Sequence, residues 1–378
     1  KFYHEMCPVA DDPLFWIHLN VDYPFHLTGI LYFPKIKDRV DVLRNKISLY
    51  CNQMYVTDQV DNIVPEFLTL LHGVIDSPDI PLNVSRSYLQ SDLNVKKIST
   101  YITKKVADRL EDISTEDKDN FEGKWDNLKL FIEYGMLTDE KFCERAMKFA
   151  RFKNTDGKYF LYDDYRKAIE TEQTDKNKKV VYLYCSNPVE QYPQVEAAKN
   201  KGYDVLVFDT QLDAHFVNLL ETKISDSSFV RVDSDIAEKL IVKEDVAKPE
   251  MEESKKKTLD AVMQTILPKD GKFTVDVENA GETGDPIIIT QSEFMRRYRD
   301  MSALGGGLNF MGEMPASYNV VVNAQNPVMA SILGDEANIT PENKELLQCI
   351  DLALLSNDML KGKDLADFIK RSAELLKK

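Results

Sequence analysis

The sequence predicts a mixed α/β protein of two to three domains, and three observations carry that prediction. Val95, Ile98, Ile102, Val106, Leu110 and Ile113 step by three or four residues, the stripe of a long amphipathic helix. Val180-Val181-Tyr182-Leu183-Tyr184 and the apolar Asp204–Phe208 flank a helical pattern over Glu190–Asn200, as the strands of a parallel βαβ unit would. A chain of 378 residues exceeds one ordinary core, and Lys243–Lys257 (KEDVAKPEMEESKKK) forms a charged, proline-bearing break in it.

Taken in order, residues from about 25 to 58 alternate like paired strands. Phe25–Phe33 ends at Pro34, and Ile47–Val56 is a second β-rich run beyond polar Lys35–Lys46. Pro65–Leu71 reads as a short helix with proline in its first turn. Ser77-Pro78-Asp79-Ile80-Pro81 is a stiff loop, because its prolines remove donors and restrict the residues before them. The long helix follows, then a charged connection over Thr115–Asn120 and helical patterns at Trp125–Glu133, Asp139–Phe152 and Leu161–Glu170. After the βαβ unit, Leu212–Leu220 is a further helix. Beyond the charged break, helices over Thr258–Leu267 and Ser292–Ala303 alternate with strands at Phe273–Val277, Pro286–Thr290 and Tyr318–Val322. Two helices close the chain, about Pro341–Ser356, with Thr340 as cap, and Asp364–Leu376.

Composition excludes several classes. Acidic residues outnumber basic ones 63 to 48, and the net charge of −15 argues against general nucleic-acid binding, which needs concentrated basic surface. No apolar run reaches the ~18 residues of a membrane span. Cys7, Cys51, Cys143, Cys185 and Cys349 are far apart, with no CxxC spacing, and with few histidines they suggest neither a disulfide framework nor a zinc site. A reducing, cytoplasmic setting is the natural reading. The chain opens at Lys1 without a methionine and reads as a fragment.

Four segments are candidates for function. In Pro81–Gln90 (PLNVSRSYLQ), Arg86 stands among Asn83, Ser85 and Gln90 just ahead of the long helix, and a guanidinium fork beside helix-start amides suits a phosphate. On physics alone a solvated surface arginine is the better reading. Leu212–Leu220 carries Phe216, Leu219 and Leu220 at core spacing, beside His215 and Asn218. Met295, Tyr298, Met301 and Leu304 share a helical face ahead of Gly305-Gly306-Gly307, a hinge rather than a phosphate loop, since no GK[ST] follows. Methionine there suits either a core or a surface that adapts to many partners. The closing helices bear Leu347, Ile350 and Leu354, then Leu365, Phe368 and Ile369, which is more apolar surface than a small domain covers alone.

Ser77–Arg86 with Tyr88-Leu89-Gln90, preceded in order by Asp12-Pro13-Leu14, Gly29–Pro34, Val56-Thr57-Asp58, Ile63–Leu68 and Gly73–Ser77, resembles the middle-domain signature of the heat-shock protein 90 family, and Tyr32–Gln59 and Asp92–Lys105 look nearest its bacterial members. The match is strong over about the first 110 residues and lies in layout beyond them. The resemblance implies a large part of a middle domain at 1–114, its small helical and α/β part at 115–243, and an α/β dimerisation domain at 244–378. It implies an ATP-dependent dimeric clamp that assists folding. In such a clamp Arg86, supported by Asn83 and Gln90, reaches the γ-phosphate of ATP with Mg held on a separate N-terminal ATPase domain. It further implies client contacts at His215, Phe216 and Asn218 and along Met295, Tyr298, Met301 and Leu304, and a homodimer through Leu347, Ile350, Leu354, Leu365, Phe368 and Ile369. Alone, this chain is expected to hold no cofactor and to hydrolyse no ATP. Two readings stay open beside it, a self-contained nucleotide-using enzyme built on 180–208 and a structural dimerisation scaffold.

Overall fold

The computed structural model describes residues 1–35, 46–58, 60, 64–80, 93–244, 249–269, 271–304 and 317–376. They divide into two compact units, one made of Lys1–Ala168 with Thr210–Thr222 and the other of Ile169–Asp209 with Lys223–Lys378. The architecture is mixed α/β, as the residue periodicity predicts.

The first unit opens with helix α1 (Phe2–Met6) and strands β1 (Phe15–Val21), β2 (Leu27–Phe33), β3 (Lys46–Cys51), β4 (Met54–Thr57) and β5 (His72–Asp76). They form a sheet in the order β1-β2-β5-β3-β4, antiparallel except for the β3/β5 pair. Phe15, Ile17, Leu19 and Val21 point inward from β1 while Trp16, His18 and Asn20 face out, a strict two-residue alternation. The expected single run over Ile47–Val56 is two strands, because Asn52 and Gln53 adopt positive φ (51° and 66°), the backbone that closes a two-residue hairpin. Pro65 precedes a short 3-10 turn at Glu66–Leu70 in place of an α-helix.

Helices α2 (Leu93–Glu116), α3 (Lys118–Gly123), α4 (Trp125–Thr138) and α5 (Glu140–Ala146) follow. The stripe Val95, Ile98, Ile102, Val106, Leu110 and Ile113 is buried throughout. Burial of each such side chain contributes about 1.5–3 kcal/mol, which outweighs the weak intrinsic preference of β-branched residues against helix. The expected connection at Thr115–Asn120 is instead a break between two helices, where the Asp117 carboxylate caps α3 by accepting from the Asn120 N–H at 3.4 Å. Phe33, Phe67, Phe131 and Phe142 meet in tilted and edge-to-face pairs between sheet, 3-10 turn and helices. The short pair β6 (Phe152–Lys153) and β7 (Tyr159–Phe160) leads into α6 (Tyr162–Ile169).

The second unit holds β8 (Val180–Cys185), α7 (Tyr192–Asn200) and β9 (Val205–Val207). Helix α8 (Asp213–Lys223), which belongs to the first unit, intervenes before β10 (Ser227–Arg231). The three strands are parallel in the order β10-β8-β9; the apolar runs predict the β8-β9 unit, and β10 is a third strand that they do not mark. Short α9 (Ala237–Leu240) and α10 (Glu253–Ile266) lead to β11 (Lys272–Glu278), β12 (Ile287–Thr290), α11 (Glu293–Leu304), β13 (Ser317–Asn323) and α12 (Pro327–Gly334). The second sheet runs β11-β13-β12, and its core joins Leu259, Met263, Val320 and Val322 to Leu346, Ile350 and Leu354 of α13 (Lys344–Ser356) and Phe368 of α14 (Gly362–Leu375). A small cluster of Ile236, Ala280 and Val321 lies between the two halves of this unit. Helix α13 starts later than expected. Asn343, rather than Thr340, caps it, accepting from the N–H groups of Glu345 and Leu346 at 2.9 and 3.2 Å.

Candidate functional site

The segment carrying Asn83, Arg86 and Gln90 lies outside the described residues, but the residues before it are tied down. The buried Ser77 hydroxyl donates to the His26 carbonyl at 2.7 Å, and the His26 N–H donates to Asp79 Oδ2 at 2.6 Å. Ile80 is buried just before this segment, and Val95 is buried soon after α2 begins. Both flanks of 81–92 are therefore held by the core of the first unit.

On α8 the N-terminus is tied down locally. The Thr210 N–H donates to Asp213 Oδ2 at 2.9 Å and the Leu212 N–H to Thr210 Oγ at 3.2 Å. Phe216, Val217 and Leu220 are buried and attach the helix, while His215 and Asn218 are half-buried one turn apart. Of the three α8 residues that sequence suggests for client contact, Phe216 is thus a core residue at 2% exposure. Its ring already has its packing partners, and the helix offers His215 and Asn218 instead.

Helix α11 is attached in a way that periodicity does not anticipate. Its most buried described side chain is Arg296, at 1% exposure, and its most exposed is Phe294, at 75%. Met295 and Tyr298 are half-buried, and the side chains of Met301 and Leu304 lie outside the described residues. The anchor is the Glu293 carboxylate. Its Oε1 accepts from the Tyr184 hydroxyl at 2.8 Å, from Arg296 Nη2 at 2.6 Å and from Arg297 Nε at 2.7 Å, and its Oε2 accepts from the Arg231 N–H at 3.0 Å. Arg296 Nη2 also donates to the Tyr184 oxygen at 2.7 Å, and Arg296 Nη1 lies 3.5 Å from Asp233. Arg231 grips the same Asp233 with both arms of its fork at 2.6 Å. Arg297 Nη2 donates to the Phe229 carbonyl at 2.5 Å. Burial works against the Glu293 charge, yet Arg296 and Arg297 more than offset it and hold the carboxyl below its ordinary range. Burial, reinforced by the Glu293 charge, pushes the Tyr184 phenol well up. The only sequence signal for this network was the i, i+3 and i+4 spacing of Glu293 to Arg296 and Arg297. Tyr184 and Arg231 stand far away in sequence.

The closing helices divide their apolar residues between two surfaces. Ile350, Leu354 and Phe368, suggested by sequence for a dimer contact, are buried in the unit's own core, because α13 packs on β12 and α14 packs on α13. Leu347 and Leu365 are half-buried. Ile369 is exposed at 58%, and with it Leu352, Leu355 and Leu376, which sequence reasoning did not assign to the contact. Ala366, Ile369, Ala373 and Leu376 step by three, four and three along one open face of α14. A polar clasp fixes the register of the pair. Arg371 Nε donates to Gln348 Oε1 at 2.9 Å, Arg371 also pairs with Asp351, and Gln348 Nε2 donates to the Ser372 hydroxyl at 2.8 Å.

A family model described as "Hsp90 protein" matches residues 1–378, the whole chain. The chain belongs to the Hsp90 family. Among curated relatives, the chaperone protein htpG of Bacteroides fragilis (strain YCH46) is 49% identical over an alignment of 441 positions, gaps included, covering 100% of this chain and 65% of that protein. Chaperone protein HtpG of Porphyromonas gingivalis (strain ATCC 33277) is also 49% identical, with 64% of its length covered. The same-named protein of Wolbachia pipientis wMel is 27% identical, with 60% covered. The Hsp90 chain described here thus spans just under two thirds of the length of these relatives. Among its described residues no helix is long and apolar enough to cross a membrane.

Proposed function

We propose that this chain is the client-holding and dimer-forming part of an ATP-dependent Hsp90 chaperone of the cytoplasm. The observation that carries the reading is the family match along all 378 residues, joined to relatives named as chaperones over the whole chain. Apolar groups in the open support it. Phe294 stands out from α11, and Leu352, Leu355, Ile369 and Leu376 stand out from the closing helices, where a single copy leaves them in water. The α11 surface, with Met295 and Tyr298 beside Phe294, suits unfolded polypeptide, and His215 and Asn218 on α8 suit the same class of partner. The closing-helix face suits a second copy of the chain across a two-fold axis.

Arg86, supported by Asn83 and Gln90, is proposed to meet the γ-phosphate of ATP with Mg held by a nucleotide-binding domain elsewhere in the full-length protein. A guanidinium there would stabilise charge that develops during phosphoryl transfer. Arg86→Ala in a full-length protein then lowers ATP turnover with nucleotide affinity nearly unchanged.

The direct test is light scattering from a chemically unfolded substrate diluted into the isolated chain without nucleotide. Suppressed aggregation at near-stoichiometric chain supports the reading. Unchanged scattering, or ATP hydrolysis above background by the isolated chain, counts against it.

A further inference from the structure

We propose that Glu293 is the positioning residue of α11, its one carboxylate setting where the helix sits on the edge of the small parallel sheet and so how Phe294 is presented to an unfolded polypeptide. The inference rests on the client-holding role of α11 for its functional meaning, but its structural content stands apart from that role.

Helices are ordinarily attached by apolar side chains, as α13 is by Leu346, Ile350 and Leu354. The N-terminal half of α11 adds a charged attachment to its half-buried Met295 and Tyr298. Among its described side chains, 293–298, the only fully buried one is the guanidinium of Arg296, and the residue beside Glu293 is the solvent-facing Phe294. The hydrogen bonds of this half are charge-assisted and directional. One carboxylate gathers a phenol from β8, a backbone N–H from β10 and two guanidinium groups from its own helix. Arg297 extends the grip to the Phe229 carbonyl of β10, and Arg296 extends it to Asp233.

An apolar contact tolerates sliding, because its energy depends on area rather than direction. A carboxylate shared among four donors has one favourable geometry, and its loss removes the nearest counter-charge of buried Arg296, leaving the longer contact to Asp233. The arrangement therefore fixes the helix's position more than its existence. Glu293 also occupies the first turn of α11, where negative charge favours the helix N-terminus, so the same group both starts the helix and docks it.

The experiment is hydrogen–deuterium exchange by mass spectrometry on the 378-residue chain at neutral pH, comparing wild type with four variants. In Glu293→Gln, peptides over 293–304 exchange at least tenfold faster, while peptides over 344–356 and 93–116 keep wild-type rates. Arg297→Gln, which leaves the buried Arg296 paired, shows the same local pattern at smaller size and serves should Glu293→Gln fold poorly. Tyr184→Phe removes one neutral donor and keeps the charges, so its rates stay within threefold of wild type. Glu293→Asp keeps the charge and falls between wild type and Glu293→Gln.

Unchanged exchange over 293–304 in both Glu293→Gln and Arg297→Gln overturns the proposal. So does acceleration spread evenly across the unit, which would make Glu293 a general stabiliser. Equal loosening in Tyr184→Phe and Glu293→Gln also overturns it, since charge would then not be the holding force. Aggregation assays on the same proteins separate this claim from the chaperone reading. Local loosening in a chain that never suppresses aggregation leaves the positioning claim standing and removes the chaperone role. Suppression of aggregation with α11 unmoved by the substitutions does the reverse.

Discussion

Ile369→Ala should weaken self-association of the chain by about two orders of magnitude. Ile369 is 58% exposed in the single copy, on the open face of α14 shared with Ala366, Ala373 and Leu376. Covering a whole isoleucine side chain is worth about 1.5–3 kcal/mol, so covering the exposed part contributes roughly 1–1.7 kcal/mol. A two-fold axis uses the same side chain twice, once from each copy, giving about 2–3.5 kcal/mol per dimer. At about 1.4 kcal/mol per factor of ten, the dissociation constant rises by roughly 30- to 300-fold. Sedimentation equilibrium over a concentration series measures it. The control is Ile350→Ala on the neighbouring helix. Ile350 is 1% exposed inside the unit's own core, so its truncation lowers stability by about 2–5 kcal/mol with a much smaller effect on association. A change in dissociation constant of less than about fivefold for Ile369→Ala, or an equal change for both variants, refutes the assignment of this face to a second copy.

Three further outcomes follow from the geometry. Gly135→Ala places a Cβ 2.6 Å from the Phe142 ring and 2.9 Å from the Phe67 ring, both fully buried. The clash costs about 1–3 kcal/mol and exceeds the ~1 kcal/mol helix-propensity gain, so the urea midpoint falls. Iodoacetamide at pH 8, read by peptide mass spectrometry, should label Cys7 first. The other four cysteines are buried, and burial pushes the thiols of Cys185 and Cys349 up to about 12 and about 11. Labelling of Cys185 at a rate equal to Cys7 would contradict this. The Glu293 carboxyl lies below its ordinary value of 4.5, so its contribution to stability is complete above that value and is lost only as pH falls through the lower folded one. Protection of α11, corrected for intrinsic exchange, should then be the same at pH 8 and pH 6. No histidine appears among the groups shown facing Glu293, namely Tyr184, Arg231, Arg296 and Arg297.

What could be read from sequence depended on the range of the interaction that decides each feature. The Val95–Ile113 stripe was legible because helical period and burial act within one segment, and the β8-α7-β9 unit was legible for the same reason. Strand β1 carried an equally clear alternation, but with Trp16, His18 and Asn20 on its outer face it does not look like a hydrophobic run. Strand β5 is short and begins with a buried histidine whose ring shares a 2.9 Å hydrogen bond with the hydroxyl of Tyr3, 69 residues away in sequence. The cap of α13 was misplaced because Thr340-Pro341 and Asn343 are both sound helix starts, and local chemistry does not choose between them. The closing helices show the limit most sharply. Periodicity identifies which residues are apolar and which share a face, but Ile350 and Ile369 differ only in what lies opposite them, and that is a property of the assembled unit. The α11 anchor extends the same argument to charge. Glu293, Arg296 and Arg297 look like ordinary solvated helix pairs until a tyrosine 109 residues away and a backbone N–H 62 residues away are brought to the same carboxylate. Partial removal of water from that carboxylate, whose side chain keeps 21% exposure, makes the contact to buried Arg296 worth more than the ~1 kcal/mol of an exposed pair. Burial, which the sequence around Glu293 does not encode, is what turns a helix-surface spacing into an attachment point.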